Sequence, residues 1–186
     1  MLTITRHLLD CASYLPSPHC NQRPDPNDVS LLVIHNISLP PGEFGGPYIE
    51  QFFQGKLISN AHSYFDEIRE MTVSAHCLIK RDGAVVQFVP FDQRAWHAGV
   101  SSFEGREQCN DYSIGIELEG TDDLPYTDVQ YQCLAEVSQS IQHHYPAITP
   151  SRITGHSDIA PGRKTDPGGS FNWMTFHAQI QSLMKG

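Results

Sequence analysis

One stretch near the C-terminal end, Gly155-His-Ser-Asp-Ile-Ala-Pro-Gly-Arg-Lys-Thr-Asp-Pro-Gly168, gathers His156, Lys164 and Asp166 into a segment punctuated by glycine and proline. Histidine and aspartate are metal-ligand types, and a catalytic zinc takes three protein ligands while keeping a position open for water. The stretch offers two. His35 is the candidate for the third, because it ends the apolar run Leu31-Leu-Val-Ile34, where a buried strand stops and delivers its last side chain to the sheet edge. Lys164 and Asp166 lie two positions apart, so an extended segment projects them to one side. That sets a cation beside a metal ligand, where it could hold a developing oxyanion. Gly-His-Ser-Asp is also ordinary turn composition, and Arg-Lys-Thr-Asp also reads as a solvated ion pair of little energetic weight. With no compact His-Glu-x-x-His pattern in the chain, the residues alone leave both readings open.

The elements that must position these groups follow from periodicity and punctuation. Ser30 to His35 is a β-rich apolar run that reads as a central strand, although periodicity alone does not separate it from a buried helical segment. The loop Asn36 to Gly46 is long and rich in Gly and Pro, more like a functional loop than a tight connection. Pro47 suits the first turn of a helix carrying Ile49, Phe52 and Phe53, and His62 and Tyr64 follow in a second irregular segment. Thr72–Ile79 and Ala84–Val89 flank Lys80-Arg-Asp-Gly83, a strong hairpin signal. Within the first of these runs His76 alternates with Cys77, so one faces the core and the other the opposite side. Trp96 and His97 sit just beyond, and both histidines, His76 and His97, read as hydrogen-bonded structural residues or as pocket residues.

Ser113-Ile-Gly-Ile-Glu-Leu-Glu-Gly120 alternates Ile114, Ile116 and Leu118 with Ser113, Gly115, Glu117 and Glu119, which makes it a strand with two different faces. Glu117 is flanked by apolar neighbours, and a carboxylate there needs a partner or a chemical purpose because unpaired buried charge is costly. Thr127 to His144 reads as a helix with a candidate Thr127–Gln130 capping box and Leu134, Val137 and Ile141 at helical spacing. His143 and His144 at its end suit the helix dipole and receive no metal role. Arg152–Thr154 is a short strand, and Asn172 to Met184 a last helix with Phe176, Ile180 and Leu183 as its buried stripe. Residues 1–28 carry prolines at a density that blocks regular structure, so they read as an irregular arm over the domain; His19 in it is no ligand.

The chain of 186 residues carries a formal net charge of -9. That balance excludes non-specific binding to nucleic acid or to an anionic membrane, which relies on clustered basic surface. Net charge describes only the far field, so Arg106, Arg163 and Lys164 remain free to form a local cationic site for an acidic ligand. The size predicts one domain, residues 1–186. The first residues lack the sustained apolar core of a signal peptide, and no stretch approaches a membrane helix, so the expectation is a cytoplasmic protein. Five cysteines without Cys-x-x-Cys spacing suggest reduced thiols rather than a disulfide framework or a Cys-type zinc site.

Five segments taken together, Val33–Gly45, Val73–Ile79, Arg94–Val100, Cys109–Thr121 and Thr154–Pro167, closely resemble the AmpD-type 1,6-anhydro-N-acetylmuramyl-L-alanine amidases, over about Pro16 to Trp173. The resemblance implies an α/β fold with a central mixed β-sheet flanked by helices, shared with phage T7 lysozyme and the peptidoglycan recognition proteins. It implies one Zn²⁺ per chain on His35, His156 and Asp166, Glu117 as general base, Lys164 as the group stabilising the oxyanion, and Asn36 lining the substrate site. Tyr64, Leu118 and Arg163 are assigned to substrate binding with it. At Thr72 and Gln108, where some members carry a basic residue, contacts to the acidic peptide do not carry over. The related phage amidases use Cys as third ligand; Asp166 here is a harder donor that leaves the metal more Lewis acidic. The implied substrate is a soluble anhydro-muropeptide met during cell-wall recycling by a monomeric cytoplasmic enzyme, with an indirect effect on β-lactamase induction. The alternatives are a muropeptide-binding module without catalysis and an amidase of intact peptidoglycan.

Overall fold

The computed structural model describes residues 2–185, apart from the side chains of Ser59, Met184 and Lys185. Its centre is a six-stranded mixed sheet built from β1 (Ser13–Tyr14), β2 (Leu31–Ile37), β3 (Cys77–Ile79), β4 (Val85–Gln87), β5 (Ser113–Glu119) and β6 (Ile153–Gly155), in the spatial order β6-β2-β5-β3-β4-β1. The pairs β6–β2, β2–β5 and β5–β3 are parallel, β3–β4 is the antiparallel hairpin read from Asp82-Gly83, and β1 runs parallel to β4 at the edge. Gly83 turns the hairpin at φ 85°, a conformation open to glycine at little cost. The helices are α1 (Tyr48–Phe53), α2 (Phe65–Ile68), α3 (Asp128–His144), α4 (His156–Ile159) and α5 (Trp173–Lys185). No described helix is long and apolar enough to cross a membrane.

Strand alternation sorts the two faces. Leu32 and Ile34 of β2, Ile114, Ile116 and Leu118 of β5, and Cys77 and Ile79 of β3 join Leu134, Val137, Ile141, Phe176 and Ile180 in one core under α3 and α5. Successive side chains point to opposite faces, so the intervening residues of β2 and β5 face the other way. There Leu31 and Val33 pack with Ala98, Tyr112 and Ile159, while Leu78 and Val86 pack against α1 and α2. On this face a cleft opens at the carboxyl ends of β2 and β5, lined by His35, Asn36 and Glu117. Parallel strands open their ligand crevice at that edge.

α3 begins at the expected capping box, with Gln130 N–H donating to the Thr127 hydroxyl and Thr127 N–H to the Gln130 side chain. Two expectations need correction. Residues 1–28 are not uniformly irregular, because Ile4–Thr5 pairs with Leu8–Leu9, Ser13–Tyr14 joins the main sheet and Cys20–Gln22 pairs with Gln93–Ala95. Prolines exclude long ladders but permit two- and three-residue edge strands. Leu183, placed in the buried stripe of the last helix, is 37% exposed while Phe176 and Ile180 are buried, because α5 leaves the core within its last turns.

Candidate metal centre and its cleft

The in-register parallel pairing of β2 with β5 sets His35 directly beside Glu117. Paired residues on neighbouring strands share a face about 4.8 Å apart, so both side chains enter the cleft. β6 lies on the other flank of β2 and delivers the chain straight into α4, whose first residue is His156. The turn after α4 brings Asp166 back, held by Ser157 N–H donating to the Asp166 carbonyl. Asp158 fixes the junction by accepting from Gly155 N–H at 2.9 Å and from the Thr154 hydroxyl at 3.0 Å. A strand end, a helix start and a loop, far apart in the chain, thus meet at one point.

At that point His35 Nδ1 lies 2.9 Å from His156 Nδ1 and 3.0 Å from Asp166 Oδ2, and His156 Nδ1 lies 3.0 Å from the same oxygen. Both histidines are buried. Burial lowers the His35 imidazole to about 4, despite the opposing pull of Asp166, so it is neutral near pH 7. Burial pushes the Asp166 carboxyl up, but the two imidazoles facing it overcome that and hold it below the ordinary carboxylate range. The outer nitrogen of His156, Nε2, donates to the Ala98 carbonyl at 3.0 Å. Its inner nitrogen, Nδ1, faces the carboxylate oxygen of Asp166.

Two ring nitrogens and a carboxylate oxygen in mutual contact form a donor set that suits a cation. Zinc fits the donor set. Two nitrogens and a carboxylate oxygen are its usual ligands, and ligand atoms in a tetrahedral site sit about 3.3 Å apart, a slight opening of this triangle. An outer imidazole N–H held by a backbone carbonyl is also the usual support for a ligating histidine. Among the described residues, this is the group of His, Cys, Asp and Glu side chains close enough to share an ion.

The cleft beside it has a volume of about 340 Å³ and is lined by Asn36, Tyr64, Trp96, His97, Glu117 and Lys164, together with His35, His156 and Asp166 and the apolar side chains of Leu39, Phe52, Ile68 and Val73. Glu117 is 9% exposed, and its Oε2 is buried without a hydrogen-bond partner. Burial raises its pKa well above the usual carboxylate range, the Asp166 charge adds to this, and Lys164 works in the opposite direction. A buried carboxylate that lines a cleft, with one oxygen left without a partner and a lysine lining the same cleft, is the arrangement of a group kept for proton transfer. A cation held by His35, His156 and Asp166 would polarise a bound carbonyl, Glu117 can move a proton, and Lys164 can pair with negative charge.

His35, His156, Asp166, Glu117, Lys164, Asn36 and Tyr64 are thus brought together around one cleft. Two assigned substrate contacts are not. Leu118 is fully buried in the core under α3 and α5, because it neighbours Glu117 on an alternating strand and so points to the opposite face. Arg163 turns away and donates to the carbonyls of Ala98 and Val100, each at 2.6 Å, lining a separate surface hollow. The expectation of a broader cationic pocket also dissolves, since Arg106 pairs with Asp28 at 2.6 Å.

Sequence reasoning left His76 and His97 open and missed Arg23. His76 accepts from Gly115 N–H at 3.0 Å and donates to the Gln93 carbonyl at 3.1 Å, so it is structural. Arg23 is a buried strut donating to the carbonyls of Phe91, Asn110, Asp111 and Ser113. Burial lowers its pKa to about 10. Gly115 was the available signal for His97, because a glycine inside a strand marks a close approach. A side chain there would overlap the His97 ring.

Comparison with known proteins agrees with this geometry. The sequence profile of the N-acetylmuramoyl-L-alanine amidase family matches residues 25–169. The 1,6-anhydro-N-acetylmuramyl-L-alanine amidase AmpD of Citrobacter freundii is 63% identical over 169 residues, covering 91% of this chain and 90% of that protein. A crystal structure of a selenomethionine AmpD derivative is 60% identical and superposes with a TM-score of 0.94, covering 96% and 99% of the two chains. AmpDh3 from Pseudomonas aeruginosa, solved in complex with anhydromuramic pentapeptide, is 28% identical with a TM-score of 0.63, over 84% of this chain and 61% of that one.

Proposed function

Because the chain belongs to the N-acetylmuramoyl-L-alanine amidase family, we propose that it hydrolyses the amide between the lactyl group of 1,6-anhydro-N-acetylmuramic acid and L-alanine with one zinc ion held by His35, His156 and Asp166. The observation that carries the metal assignment is the triangle of Nδ1, Nδ1 and Oδ2 atoms at 2.9–3.0 Å. When bound, zinc supplies a Lewis acid that polarises a carbonyl and brings the pKa of a water down to about 7.

The chain's own groups do the rest. Glu117 accepts a proton from the water that attacks the amide carbon. As the C–N bond breaks, Glu117 returns that proton to the departing nitrogen, leaving a lactyl carboxylate and a free L-alanine amine. Such acid–base assistance is typically worth about 10²–10⁴-fold. Burial raises its carboxyl toward a range where both transfers are feasible, and Lys164 keeps it from rising unopposed. Lys164 also pairs with the oxygen that becomes negative in the tetrahedral transition state, an interaction that strengthens as charge develops. Asn36 and Tyr64 contact the substrate along the cleft, and the apolar side chains of Leu39, Phe52, Ile68 and Val73 line it beside them.

The substrate belongs to cell-wall recycling, a reading supported by the names of the close relatives and by the anhydromuropeptide bound to AmpDh3. The enzyme acts as a cytoplasmic monomer in this reading. The test is mass spectrometry of products from purified protein given matched muropeptides with the anhydro and the reducing sugar, before and after chelation and after zinc is restored. Cleavage at the lactyl–alanine amide, preference for the anhydro sugar, and loss and recovery with zinc are expected. Binding without cleavage would identify a recognition module instead, and equal action on intact peptidoglycan would remove the recycling role.

A further inference from the structure

Resting on the zinc reading above, we propose that His97 is a positioning residue for the metal: its Nδ1 accepts the Nε2–H of His35, which leaves the Nδ1 lone pair of His35 facing the ion. His97 Nδ1 lies 2.8 Å from His35 Nε2, on the side of that ring away from His156 and Asp166. The rings meet edge to face, with centroids 5.0 Å apart and planes at 89°. The far nitrogen, His97 Nε2, lies 3.0 Å from the hydroxyl of Ser113, which is fully buried. His35, His97 and Ser113 therefore form one directional hydrogen-bond chain leading away from the metal centre.

Two neutral proton arrangements satisfy that chain. In the first, Ser113 donates to His97 Nε2, His97 Nδ1–H donates to His35 Nε2, and His35 carries its proton on Nδ1, where it blocks a cation. In the second, His35 Nε2–H donates to His97 Nδ1, His97 Nε2–H donates to Ser113, and His35 Nδ1 is free to ligate. A serine hydroxyl accepts or donates with equal ease, so the chain can hold the second arrangement without adding charge. A ligating histidine whose outer N–H is held keeps its tautomer and ring orientation, and removing such a partner typically costs 10–100-fold in metal affinity.

β5 is shaped for this on three successive residues of one face. Ser113 anchors the chain, Gly115 lacks the side chain that would occupy the space of the His97 ring, and Glu117 enters the cleft. Asn110 holds the backbone, its side-chain oxygen accepting from the N–H groups of His97 and Ala98 at 3.1 and 2.8 Å. Ala98 in turn offers the carbonyl that takes His156 Nε2–H. One short segment, His97–Ala98, thus supports both ligating histidines from behind, His35 through a side chain and His156 through the backbone.

The test is zinc affinity, measured by competition with a chromophoric chelator on metal-stripped protein, together with the melting temperature of each metal-free variant. Wild type should bind one zinc and His156→Ala should not; if wild type binds none, the zinc reading itself fails. His97→Phe keeps the ring but loses the acceptor, and should bind zinc about 10–100-fold more weakly. His97→Asn puts an amide oxygen where Nδ1 was and should stay within about threefold of wild type, since the acceptor is kept. If His97→Phe binds as tightly as wild type, or if Asn and Phe weaken zinc equally, the positioning role is overturned. Should His97→Phe not fold, Ser113→Ala decides: it should weaken zinc about two- to tenfold by freeing the far end of the chain, and unchanged affinity overturns the proposal.

Discussion

Glu117→Gln separates proton transfer from every other contribution of the site. The amide is nearly isosteric with the carboxyl but neither takes nor returns a proton in the required way, while the triangle of His35, His156 and Asp166 is untouched. Loss of general acid–base assistance should lower turnover about 10²–10⁴-fold, equivalent to about 3–5 kcal/mol of activation free energy at 1.36 kcal/mol per decade. Zinc content should remain at one per chain, and KM should change little, because the proposed role of Glu117 is in the chemical step rather than in holding the substrate. Stability gives an independent handle. Glu117 is buried, its Oε2 has no partner, and burial raises its carboxyl well above the usual range. The metal-free folded state therefore holds a proton there that the unfolded state has released, so stability falls as pH rises from the ordinary glutamate value upward. In the Glu117→Gln variant that contribution is absent, and the metal-free variant should be as stable as wild type at low pH and no less stable near neutrality. The assay is initial rate on an anhydro-muropeptide with product separation, alongside metal analysis and denaturation at two pH values. Near-normal turnover with zinc in place would refute the acid–base assignment, and loss of zinc would show that Glu117 acts through the metal centre.

Three further outcomes follow from the same geometry. Lys164→Ala should retain zinc and lose about 10²–10³-fold in kcat, the usual cost of removing one oxyanion donor, measured by the same product assay. Gly115→Ala places a methyl group against the His97 ring, so it should destabilise the protein by about 1–3 kcal/mol through overpacking and weaken zinc along with it; thermal melts with and without metal read both. Glu119→Ala should cost about 1–3 kcal/mol per N–H left unpaired, because this buried carboxylate accepts from Gly45 N–H at 2.6 Å and from Arg81 N–H at 3.0 Å. It ties the loop after β2 to the hairpin turn, and that loop walls the cleft through Leu39 and Pro41, so KM should rise more than kcat falls.

Much of the site was legible because its residues break the rules of the elements that carry them. A histidine closing a buried apolar run, a glutamate inside a hydrophobic alternation and an aspartate in a turn with a histidine and a lysine all stand out against local expectation. The fold was legible for a related reason: the Asp82-Gly83 turn, the Thr127 cap and the alternation of β5 act over a few residues. The errors came where a local rule was not applied or did not reach. Leu118 was assigned to the cleft although its alternation with Glu117 already placed it on the other face. Arg163 was read from its charge, whereas its guanidinium is committed to two backbone carbonyls. Arg23 is buried by contacts across the molecule to the turn at Phe91, before the Gln93–Ala95 strand, and to the turn before β5, and nothing in its Pro-rich surroundings signals that.

The parallel sheet explains why so sparse a motif suffices. His35 and Glu117 have no sequence relation, but a parallel pairing in register makes them neighbours with a fixed offset, and β6 on the other side of β2 aims His156 at the same point. Three adjacent carboxyl ends thereby carry the proposed first ligand, the proposed base and the proposed second ligand on rigid backbone, while Asp166 and Lys164 come from a loop. The rigid groups are those whose direction matters most, since a ligand lone pair and a proton acceptor fail when turned, while a lysine acts nearly as a point charge. Accordingly, a substitution on β5 that displaces the His97 ring, such as Gly115→Ala, should damage metal binding, whereas changes in the 160–168 turn that spare Asp166 should reduce kcat and leave zinc affinity intact.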